Sequence, residues 1–364
     1  MLIGIDASRI AKRERTGTEE YSYQLVKHLA EIDQKNDYVL YSSKKLPEEF
    51  SKGLPKNFKT NIIPLPKLWS QVRLSLEMLL RPPDVLFVPA HVLPLIHVKK
   101  SVVTIHGLEY EYFPEAYSGF ALWYLRFSTK FALKYAKRII AVSKNTKNDL
   151  IKFYRADPRK IRVIYHGFGN FGFDPMSDEE FFSKFDLKKG KYFLYLGRLE
   201  KRKNIINLIK AYNLFRNKFG NYLKLVLGGN AGYGYEEIKD EIGKSKYRRD
   251  IVETGFISNS QKNSFFKNAA VFVYPTFYEG FGLPILESFF AETPVVCGRV
   301  ASLPEIASDA AIYIVPESEI SIAKGMMRAI SLREKLLQPM KMQLKKFSWK
   351  KSAEETLDCL EGWN

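Results

Sequence analysis

Residues 192–215 read YFLYLGRLEKRKNIINLIKAYNLF, which contains a strand, a loop and a helix in succession. The apolar run YFLYLG has the length of a buried β-strand, and Gly197 permits a tight turn at its end. The segment NIINLIKAYNLF has apolar residues at helical spacing, with Asn204 as the expected N-cap. A buried strand followed by an amphipathic helix is the unit from which parallel α/β sheets are built. We therefore predict a doubly wound sheet around this stretch.

The same alternation of apolar runs and helical segments extends over the chain in two sets. The first set consists of IGIDA, YVLYS, DVLFVP, SVVTIH, RIIAVS and IRVIYH, and the second of YFLYLG, YLKLVLGG, DIVETGF, AAVFVYP, TPVVCG and AAIYIV. Between the sets, GFGNFGFDPMSDEE lacks an apolar period, as is typical of a linker. We predict the α/β class, with two facing, Rossmann-like, doubly wound domains and a ligand-binding cleft between them.

The linker defines the predicted domain boundaries. We assign a first domain, a hinge and a second domain to residues 1–170, 171–190 and 191–347. Gly167, Gly169 and Gly172 spell the dinucleotide-binding pattern G-x-G-x-x-G, but that pattern requires a helix to begin at once. The segment FDPMSDEE with Pro175 follows instead, so a hinge is the better interpretation.

Composition and charge limit the class of protein. The chain has 364 residues, of which 46% are hydrophobic, and this excludes intrinsic disorder. A net charge of +17, most of it in the first domain, predicts an anionic partner. Two cysteines, Cys297 and Cys359, are too few for a disulfide framework and favour a reducing compartment. The N-terminus MLIGIDAS reads as a strand, and VLFVPAHVLPLIHV is too short to span a bilayer, so we expect a cytoplasmic protein.

The loop YLGRLEKRKN is a candidate anion-binding site. Arg198 and Lys203 come beside a predicted helix N-terminus, where a guanidinium, an ammonium and backbone amides can together neutralise a diphosphate. An isolated pair of this kind is more often a solvated basic turn. The interpretation therefore needs support from elsewhere in the sequence.

The support comes from residues 279–294, EGFGLPILESFFAETP. Gly280 and Gly282 open the backbone of a loop that presents amides to a ligand, and a proline stands at the expected helix start. Glu279 in the loop and Glu287 in the expected first helical turn have carboxylates suited to sugar hydroxyls. Each glutamate alone has a simpler interpretation, as a solvated loop residue or a partner of the helix dipole. The whole string is too particular for those interpretations.

This string resembles the signature of the retaining glycosyltransferases of the family 4 type, which have the GT-B fold. RIIAVSKNTKNDLIKFY, DPRKIRVIYHG, YLGRLEKRKN and SLPEIASDAAIYIVP resemble that family in the same order. The resemblance implies a nucleotide diphosphate sugar bound mainly by the second domain and a glycan or lipid-linked acceptor bound mainly by the first. It implies that Arg198 and Lys203 hold the diphosphate, Glu279 the transferred sugar and Glu287 the ribose. The sugar and phosphates would also meet the backbone of Gly280, Phe281, Gly282 and Leu283.

In the first domain, His106 ends the strand SVVTIH. A lone histidine there is more often structural, but the resemblance implies that it contacts the donor sugar near the reacting centre. Gly107 stands where the family often has Asp. That carboxylate is therefore absent here or is supplied by Glu109 or Glu111.

The loop RIAKRERTGTEEY resembles the family's first glycine-containing loop, which makes Gly17 a donor-binding candidate. Its basic residues would meet the donor phosphate or an anionic acceptor, or else form a solvated loop; they are Arg9, Lys12, Arg13 and Arg15. A second glycine-rich loop, from Gly228, is interpreted as a turn.

The sequence offers no strong nucleophile beside a base and no histidine spacing typical of a metal site. The resemblance implies retention of anomeric configuration by attack on the same face, with a donor phosphate oxygen accepting the acceptor's proton. Arg198, Lys203 and helix N-termini would replace a divalent cation, so we expect metal-independent transfer. By likeness alone the donor is GDP-mannose or another hexose donor, with UDP-linked sugars next.

Two other functions are open at this point. A basic nucleic-acid-binding protein would account for the charge, but no module that reads bases is apparent. A GT-B epimerase or glycan phosphorylase would keep the fold, but the paired glutamates and the loop GRLEKRKN favour transfer.

Two further segments lead to hypotheses about the membrane and the domain boundary. In FALWYLRFSTKFALKYAKR we expect Trp123, Tyr124 and Phe127 to lie mostly in the core, with basic side chains resting on anionic lipid at the inner face of the plasma membrane. The stretch FSWKKSAEETLDCLEG resembles the family's last helix, so residues 348–364 would cross back and complete the first domain.

Overall fold

The computed structural model describes residues 1–12, 15, 17–169, 178–220 and 222–363. The chain folds into two compact units: the first consists of Met1–Gly167 and Phe347–Asn364, and the second of Phe168–Lys346. Each unit has its own parallel sheet covered by helices, which confirms the predicted α/β class. Among the described residues, no helix has the length and apolar character needed to cross a bilayer.

The first unit has a seven-stranded parallel sheet of order β3-β2-β1-β4-β5-β6-β7. Its strands are β1 (Leu2–Asp6), β2 (Asp37–Ser42), β3 (Phe58–Ile62), β4 (Val85–Val88), β5 (Ser101–Ile105), β6 (Arg138–Ala141) and β7 (Ile161–Val163). Its helices before the linker are α1 (Gly17–Ile32), α2 (Glu48–Lys52), α3 (Ser75–Leu80), α4 (Glu109–Tyr112), α5 (Gly119–Tyr135) and α6 (Lys144–Tyr154). The central strands β4 and β5 are buried throughout, as expected for strands covered on both faces.

The sequence analysis missed strand β3. Its residues, FKTNI, pair only with β2 at the edge of the sheet, and most of them are partly or fully exposed. An edge strand needs few apolar residues, so β3 lacks the continuous apolar run by which the other strands were recognised.

The second unit has a six-stranded parallel sheet of order β10-β9-β8-β11-β12-β13. The strands are β8 (Tyr192–Leu196), β9 (Lys224–Gly228), β10 (Ile251–Gly255), β11 (Val271–Tyr274), β12 (Val295–Gly298) and β13 (Ala311–Ile314). The helices are α7 (Asp178–Phe185), α8 (Ile205–Phe219), α9 (Tyr235–Lys244), α10 (Asn259–Lys267), α11 (Leu283–Phe290), α12 (Leu303–Ala307), α13 (Glu319–Ser331) and α14 (Arg333–Leu344). The strand order reverses between β8 and β11, which is where ligands bind in sheets of this kind.

Part of the segment expected to be a hinge is helix α7. The rings of Phe181 and Phe185 each lie 4.8 Å from that of Phe265, so α7 packs onto the second unit. Residues 171–177, which include Gly172 and Pro175, lie outside the described residues. The i, i+4 spacing of the two phenylalanines is the signal that could have revealed this helix.

Helix α15 (Trp349–Glu361) belongs to the first unit. Trp349 is buried there, with its ring 6.0 Å from that of His166, and Arg138 donates to the carbonyl oxygen of Cys359 at 2.8 Å. A Cβ at Gly167 would lie 2.1 Å from the backbone nitrogen of Trp349. Gly167 is therefore required by this close approach and not by a phosphate.

Helix α5 differs from the expectation that its aromatic residues lie in the core. Phe120 is 72% exposed, Trp123 is 58% exposed and Phe127 is 38% exposed, whereas Tyr124 is partly buried. The buried face of α5 consists of small side chains, Ser128, Thr129 and Ala132. Apolar residues cover both faces of this helix, so their spacing alone did not identify the buried one.

The packing of α15 gives the first prediction. Replacing buried Trp349 with alanine (Trp349→Ala) leaves a large cavity, and we expect the free energy of unfolding of the first unit to fall by about 3–5 kcal/mol. Guanidinium denaturation measures this loss. The matched control, Trp123→Ala, removes an exposed ring and should change stability by about 0.5 kcal/mol or less. Equal losses in the two variants would contradict the role assigned to α15.

Candidate active site

The loop after β8 displays an exposed arginine, Arg198. Gly197 donates its backbone N–H to the Gly228 carbonyl, and a Cβ at Gly232 would lie 2.8 Å from Arg198 Cγ and Cδ, so the arginine stem lies over that glycine. Tyr195 Oη donates to the Arg198 carbonyl at 3.0 Å and fixes the loop. The Arg198 side chain is exposed, and it forms no ion pair with any described residue. The guanidinium is therefore accessible to an anion.

Lys203 has a different environment from Arg198. It ends the short 3₁₀ turn Lys201–Lys203, and its side chain is buried. The Nζ atom contacts Glu279 Oε1 directly and Tyr274 Oη at 3.2 Å. The structure thus brings together Lys203 and Glu279, two of the predicted site residues, as a buried ion pair. The sequence analysis assigned them to different parts of the ligand and did not predict this pair.

A second cation, Arg202, belongs to the same cluster and was missed. Its Nη2 contacts Glu200 at 2.6 Å, its Nη1 donates to the Tyr278 carbonyl at 2.9 Å, and Nη1 lies 3.9 Å from Glu279 Oε1. In the sequence Arg202 is the middle residue of a Lys-Arg-Lys run. Nothing in that run indicates which of the three side chains turns inward.

The charges of this cluster depend on one another. Burial raises the pKa of the Glu279 carboxyl, but the charges of Lys203 and Arg202 outweigh burial and hold that pKa below its usual value. Burial lowers the pKa of the Lys203 ammonium, and the Glu279 carboxylate offsets part of this effect. Glu279 is therefore an ionised carboxylate kept in a protected position by neighbouring cations.

In the loop between β11 and α11, one serine side chain contacts two backbone carbonyl oxygens. Ser302 Oγ contacts the carbonyl oxygens of Glu279 at 2.9 Å and Phe281 at 2.6 Å. Gly282 has φ 118°, a conformation that favours glycine, and α11 begins at the next residue. The first amides of a helix have no partner within the helix, so this N-terminus suits an anion or a sugar hydroxyl.

Glu287 does not lie where the sequence analysis expected it. The helix α11 begins at Leu283, so Glu287 lies in its second turn. This position excludes the interpretation of Glu287 as a partner of the helix dipole, which acts within the first turn. Its carboxylate is largely buried and pairs with Lys262 Nζ of α10 at 2.9 Å. A ligand hydroxyl at Glu287 would therefore be shared with Lys262, which the sequence analysis missed.

Asn204 also differs from its predicted role. It has a left-handed backbone conformation, and its side chain does not cap α8. Its Nδ2 donates instead to the carbonyl oxygens of Pro275 at 3.0 Å and Pro316 at 2.7 Å. These carbonyls follow β11 and β13, so Asn204 ties the basic turn to the carboxyl edge of the second sheet.

In the first unit, His106 follows β5 as predicted. Its Nε2 lies 2.7 Å from the Pro89 carbonyl oxygen, and its ring meets the ring of Tyr21 edge-on at 4.8 Å. Burial lowers the pKa of His106 to about 3, so the ring is neutral at physiological pH. A carbonyl only accepts, so the ring proton lies on Nε2 and Nδ1 is an acceptor. His106 can accept a hydrogen bond from a hydroxyl but cannot supply a positive charge.

The basic loop before α1 is paired with acids that the sequence analysis did not assign to it. Arg9 and Lys12 contact Glu19 at 3.2 and 2.9 Å, and Arg15 contacts Glu20 at 3.0 Å. Gly17 is the exposed first residue of α1. Arg13 lies outside the described residues. The positive charges of Arg9, Lys12 and Arg15 are therefore partly balanced by Glu19 and Glu20.

The two glutamates proposed to replace the family's aspartate differ in their contacts. Glu111 is held by Arg126, at 2.8 Å, and by Tyr154. The charge of Glu109 acts on His91, whose pKa it raises against the larger lowering by burial. Glu109 is therefore the better candidate for the missing carboxylate. No group of three or more His, Cys, Asp and Glu suited to a metal ion occurs among the described residues.

Two family profiles match the chain. The profile described as Glycosyltransferase Family 4 matches residues 15–168, and the one described as Glycosyl transferases group 1 matches residues 177–346.

Curated relatives include enzymes of bacterial surface polysaccharides. O-antigen chain mannosyltransferase B of Escherichia coli is 29% identical over 72% of this chain and 70% of that protein. O-antigen chain mannosyltransferase RfbU of Salmonella typhimurium is 26% identical over 64% of this chain and 60% of that protein. This chain thus spans less than two thirds of the second relative's length.

Solved structures share the fold at low sequence identity. Alr3699/HepE of Anabaena, solved with UDP and glucose, has a TM-score of 0.76 at 15% identity and covers 99% of both chains. WaaG, a glycosyltransferase involved in lipopolysaccharide biosynthesis, has a TM-score of 0.75 at 14% identity and covers both chains completely.

The buried ion pair gives the second prediction. Lys203→Met leaves Glu279 buried without its main counter-charge, and we expect the free energy of unfolding of the second unit to fall by about 3–5 kcal/mol. The double variant Lys203→Met/Glu279→Gln should recover part of this loss. Because the folded-state pKa of Glu279 is lowered, its contribution to stability is present above the ordinary carboxyl pKa and disappears as the pH falls through the folded value.

The control is Lys341→Met, which breaks a pair with Glu292 in which both side chains are about half exposed. Exposed pairs contribute about 0–1 kcal/mol, so this variant should unfold almost as the wild type does. Denaturant titrations of all variants at pH 7 and pH 4 provide the comparison. A small and equal loss at both pairs would contradict the account of the buried pair.

Proposed function

As a member of the glycosyl transferases group 1 family, of the family 4 type with the GT-B fold, the chain is a glycosyltransferase, and we propose that it moves a hexose from a nucleotide diphosphate sugar to a glycan or lipid-linked acceptor. The observation that carries the proposal is the cluster at the carboxyl ends of β8 and β11. There an exposed guanidinium, Arg198, lies on the loop after β8, and the buried pair of Lys203 and Glu279 joins the two loops. Such a cluster offers cations to a diphosphate and a carboxylate to sugar hydroxyls.

The proposed chemistry depends on stabilising the leaving group. As the bond between sugar and phosphate breaks, negative charge builds up on the nucleoside diphosphate, and Arg198 and Lys203 would neutralise it without a divalent cation. Glu279 would accept a hydrogen bond from the transferred sugar. We propose that the acceptor hydroxyl attacks on the same face and passes its proton to a donor phosphate oxygen, so that the anomeric configuration is retained.

His106 of the first unit would take part as a neutral hydrogen-bond acceptor. A protonated imidazole would repel the positive charge that develops on the sugar in the transition state, whereas a neutral ring can hold a hydroxyl through Nδ1. Gly17 at the start of α1 would lie against the donor.

For the sugar, we propose mannose first. Both O-antigen relatives carry the name mannosyltransferase, and this supports a mannosyl donor, for which we propose GDP-mannose. The Anabaena structure solved with UDP and glucose makes UDP-glucose the second candidate. The acceptor would be a growing surface polysaccharide or its lipid-linked precursor.

The third prediction tests the donor. A ligand that binds only the folded protein raises its apparent stability, so GDP-mannose or UDP-glucose should raise the melting temperature, and GDP or UDP alone should do so to a smaller extent. Arg198→Ala leaves the buried pair intact and should weaken this shift and lower transfer by at least tenfold. Arg159→Ala, which removes an exposed arginine of the first unit, is the control.

Transfer is followed with radiolabelled donor in EDTA, and NMR of the product gives its anomeric configuration. Loss of activity in EDTA with recovery in magnesium would contradict the metal-independent route. An inverted product would contradict same-face attack. No thermal shift with any nucleotide sugar would contradict the proposed function as a whole.

We also propose that the first unit rests on an anionic membrane surface. The rings of α5 form a ladder, in which exposed Trp123 lies 5.5 Å from exposed Phe127, and partly buried Phe131 lies 4.6 Å from exposed Tyr135. Exposed lysines follow the ladder at Lys130, Lys134 and Lys137. Aromatic and basic side chains on one helix are typical of helices that lie in the membrane interface. Each lysine near an anionic surface contributes about 1 kcal/mol.

A second segment of the first unit also exposes apolar side chains. A π-helical turn, Ser70–Leu74, leads into α3, and this segment leaves large aliphatic side chains exposed at Leu68, Val72, Leu76, Leu79 and Leu80. Gln71 on the same segment donates to Tyr124 Oη of α5 at 3.3 Å. The two segments are therefore in contact in the first unit. Lysines beside such a surface favour anionic lipid over a neutral partner.

The fourth prediction uses Trp123 as a reporter, because it is 58% exposed, whereas Trp69 and Trp349 are buried and Trp363 is partly buried. Vesicles of phosphatidylcholine with phosphatidylglycerol should shift the tryptophan emission to the blue and sediment with the protein. Phe127→Glu should abolish both effects, whereas Tyr222→Glu, at an 89% exposed tyrosine of the second unit, should not. The proposal would be contradicted if the wild-type protein does not bind these vesicles. It would also be contradicted if sedimentation velocity shows that the protein dimerises through α5.

A further inference from the structure

A buried tyrosine connects the two charged residues of the second unit's site. Strand β11 ends at Tyr274, whose side chain is 2% exposed. Its hydroxyl lies 2.8 Å from Glu279 Oε1 and 3.2 Å from Lys203 Nζ. Because Lys203 only donates, the hydroxyl accepts from the ammonium and donates its own proton to the carboxylate. Tyr274 therefore completes a triangle with the ion pair.

The two carboxylate oxygens of Glu279 differ in their hydrogen bonds to the protein. Oε1 accepts from both Lys203 and Tyr274, and Arg202 lies 3.9 Å from the same atom. Within the part of the chain that the structure describes, Oε2 accepts no hydrogen bond. One oxygen is thus fully occupied by the protein, and the other retains its capacity for a ligand hydroxyl.

The tyrosine ring is held firmly enough to fix this arrangement. It stacks on Phe272 of the same strand at 5.3 Å and lies 6.2 Å from the ring of Tyr195 on β8. A ring packed in a strand end has little rotamer freedom, so the hydroxyl has a defined position. Burial raises the pKa of Tyr274 well above its ordinary value, so the hydroxyl remains a donor over the working pH range.

We propose that Tyr274 is a positioning residue, whose hydroxyl holds Glu279 Oε1 so that Oε2 is presented to the transferred sugar. This inference rests on the proposed function, because it assigns the sugar to Glu279. Tyr274 itself would not touch the reacting atoms. It would act by keeping the carboxylate ionised and in one rotamer before the donor binds.

The test is Tyr274→Phe, which keeps the ring and removes the hydroxyl. The hydroxyl's hydrogen bond lowers the pKa of Glu279, so its loss should raise that pKa and move the acid limb of the kcat/KM profile to higher pH. The other charged and titratable groups that act on this carboxylate are Lys203, Arg202 and Tyr195, and the variant leaves all three in place. We expect kcat to fall by about tenfold or more, with a smaller change in the KM for the donor.

The matched control is Tyr192→Phe. Tyr192 is also fully buried in the second sheet, but its hydroxyl donates to the Phe265 carbonyl at 2.6 Å, away from Glu279. This variant should leave the acid limb where it is. If Tyr274→Phe lowers activity equally at every pH, or behaves as Tyr192→Phe does, the tyrosine is a packing residue and the proposal is wrong.

A second measurement does not depend on activity. NMR titration of ¹³C-labelled glutamate carboxyls in the ligand-free protein, assigned with Glu279→Gln, should show a higher Glu279 pKa in Tyr274→Phe than in the wild type. An unchanged titration would overturn the positioning role whatever the kinetics show. A different outcome is that the Glu279 pKa rises in Tyr274→Phe as expected, but the wild-type protein neither binds nor transfers any nucleotide sugar. That outcome would overturn the proposed function, and with it the role of Tyr274 toward the sugar.

Discussion

The second unit's site depends on one buried ion pair, between Lys203 and Glu279. Removing two charges from water is unfavourable, and a pair of this kind is stable only when further hydrogen bonds satisfy both partners. On the carboxylate side Tyr274 supplies such a hydrogen bond, and Arg202 adds a positive charge 3.9 Å away. A diphosphate that approached Lys203 would compete with Glu279 for the same ammonium. The carboxylate therefore holds the lysine in position before a ligand binds, at the carboxyl edge where the strand order reverses.

The backbone around the pair is fixed by polar side chains that touch no charge. Asn204 holds the carbonyls after β11 and β13, and Ser302 holds those of Glu279 and Phe281. These contacts tie the basic turn and the glycine loop to the rigid end of the sheet. A site on loops gains accuracy when its supporting residues are themselves locked by hydrogen bonds. The same residues explain why a short loop rich in charge has one defined conformation.

Much of the fold was predictable because the central parallel strands are continuous apolar runs, whereas the edge strand β3, which lacks such a run, was not predicted. Arg198, Lys203 and Glu279 could be proposed from the sequence as site residues, because each lies in the segment between a buried strand and the next helix. Their contacts were not predictable from spacing. Lys203 and Glu279 lie 76 residues apart, and which lysine or arginine of a basic run turns inward depends on tertiary packing. For α5, apolar residues lie on both faces, so the sequence did not determine which face is buried. In the structure the buried residues are the small ones, Ser128, Thr129 and Ala132.

The positive side chains behind the net charge of +17 lie in environments that differ in pairing, burial and exposure to solvent. Near α1, cations are neutralised by Glu19 and Glu20 and add little to the field. At the second unit's site, a lysine is buried, so its interaction with an anion is strengthened by the low dielectric and is only weakly screened by salt. Along α5 the lysines are exposed, and their attraction to an anionic surface falls off within the Debye length of about 8 Å at physiological salt. The insertion of the exposed apolar rings beside them does not depend on charge and is not screened by salt. The proposed attachment through α5 would therefore need both kinds of side chain, with charge attracting the surface and the rings inserting into it.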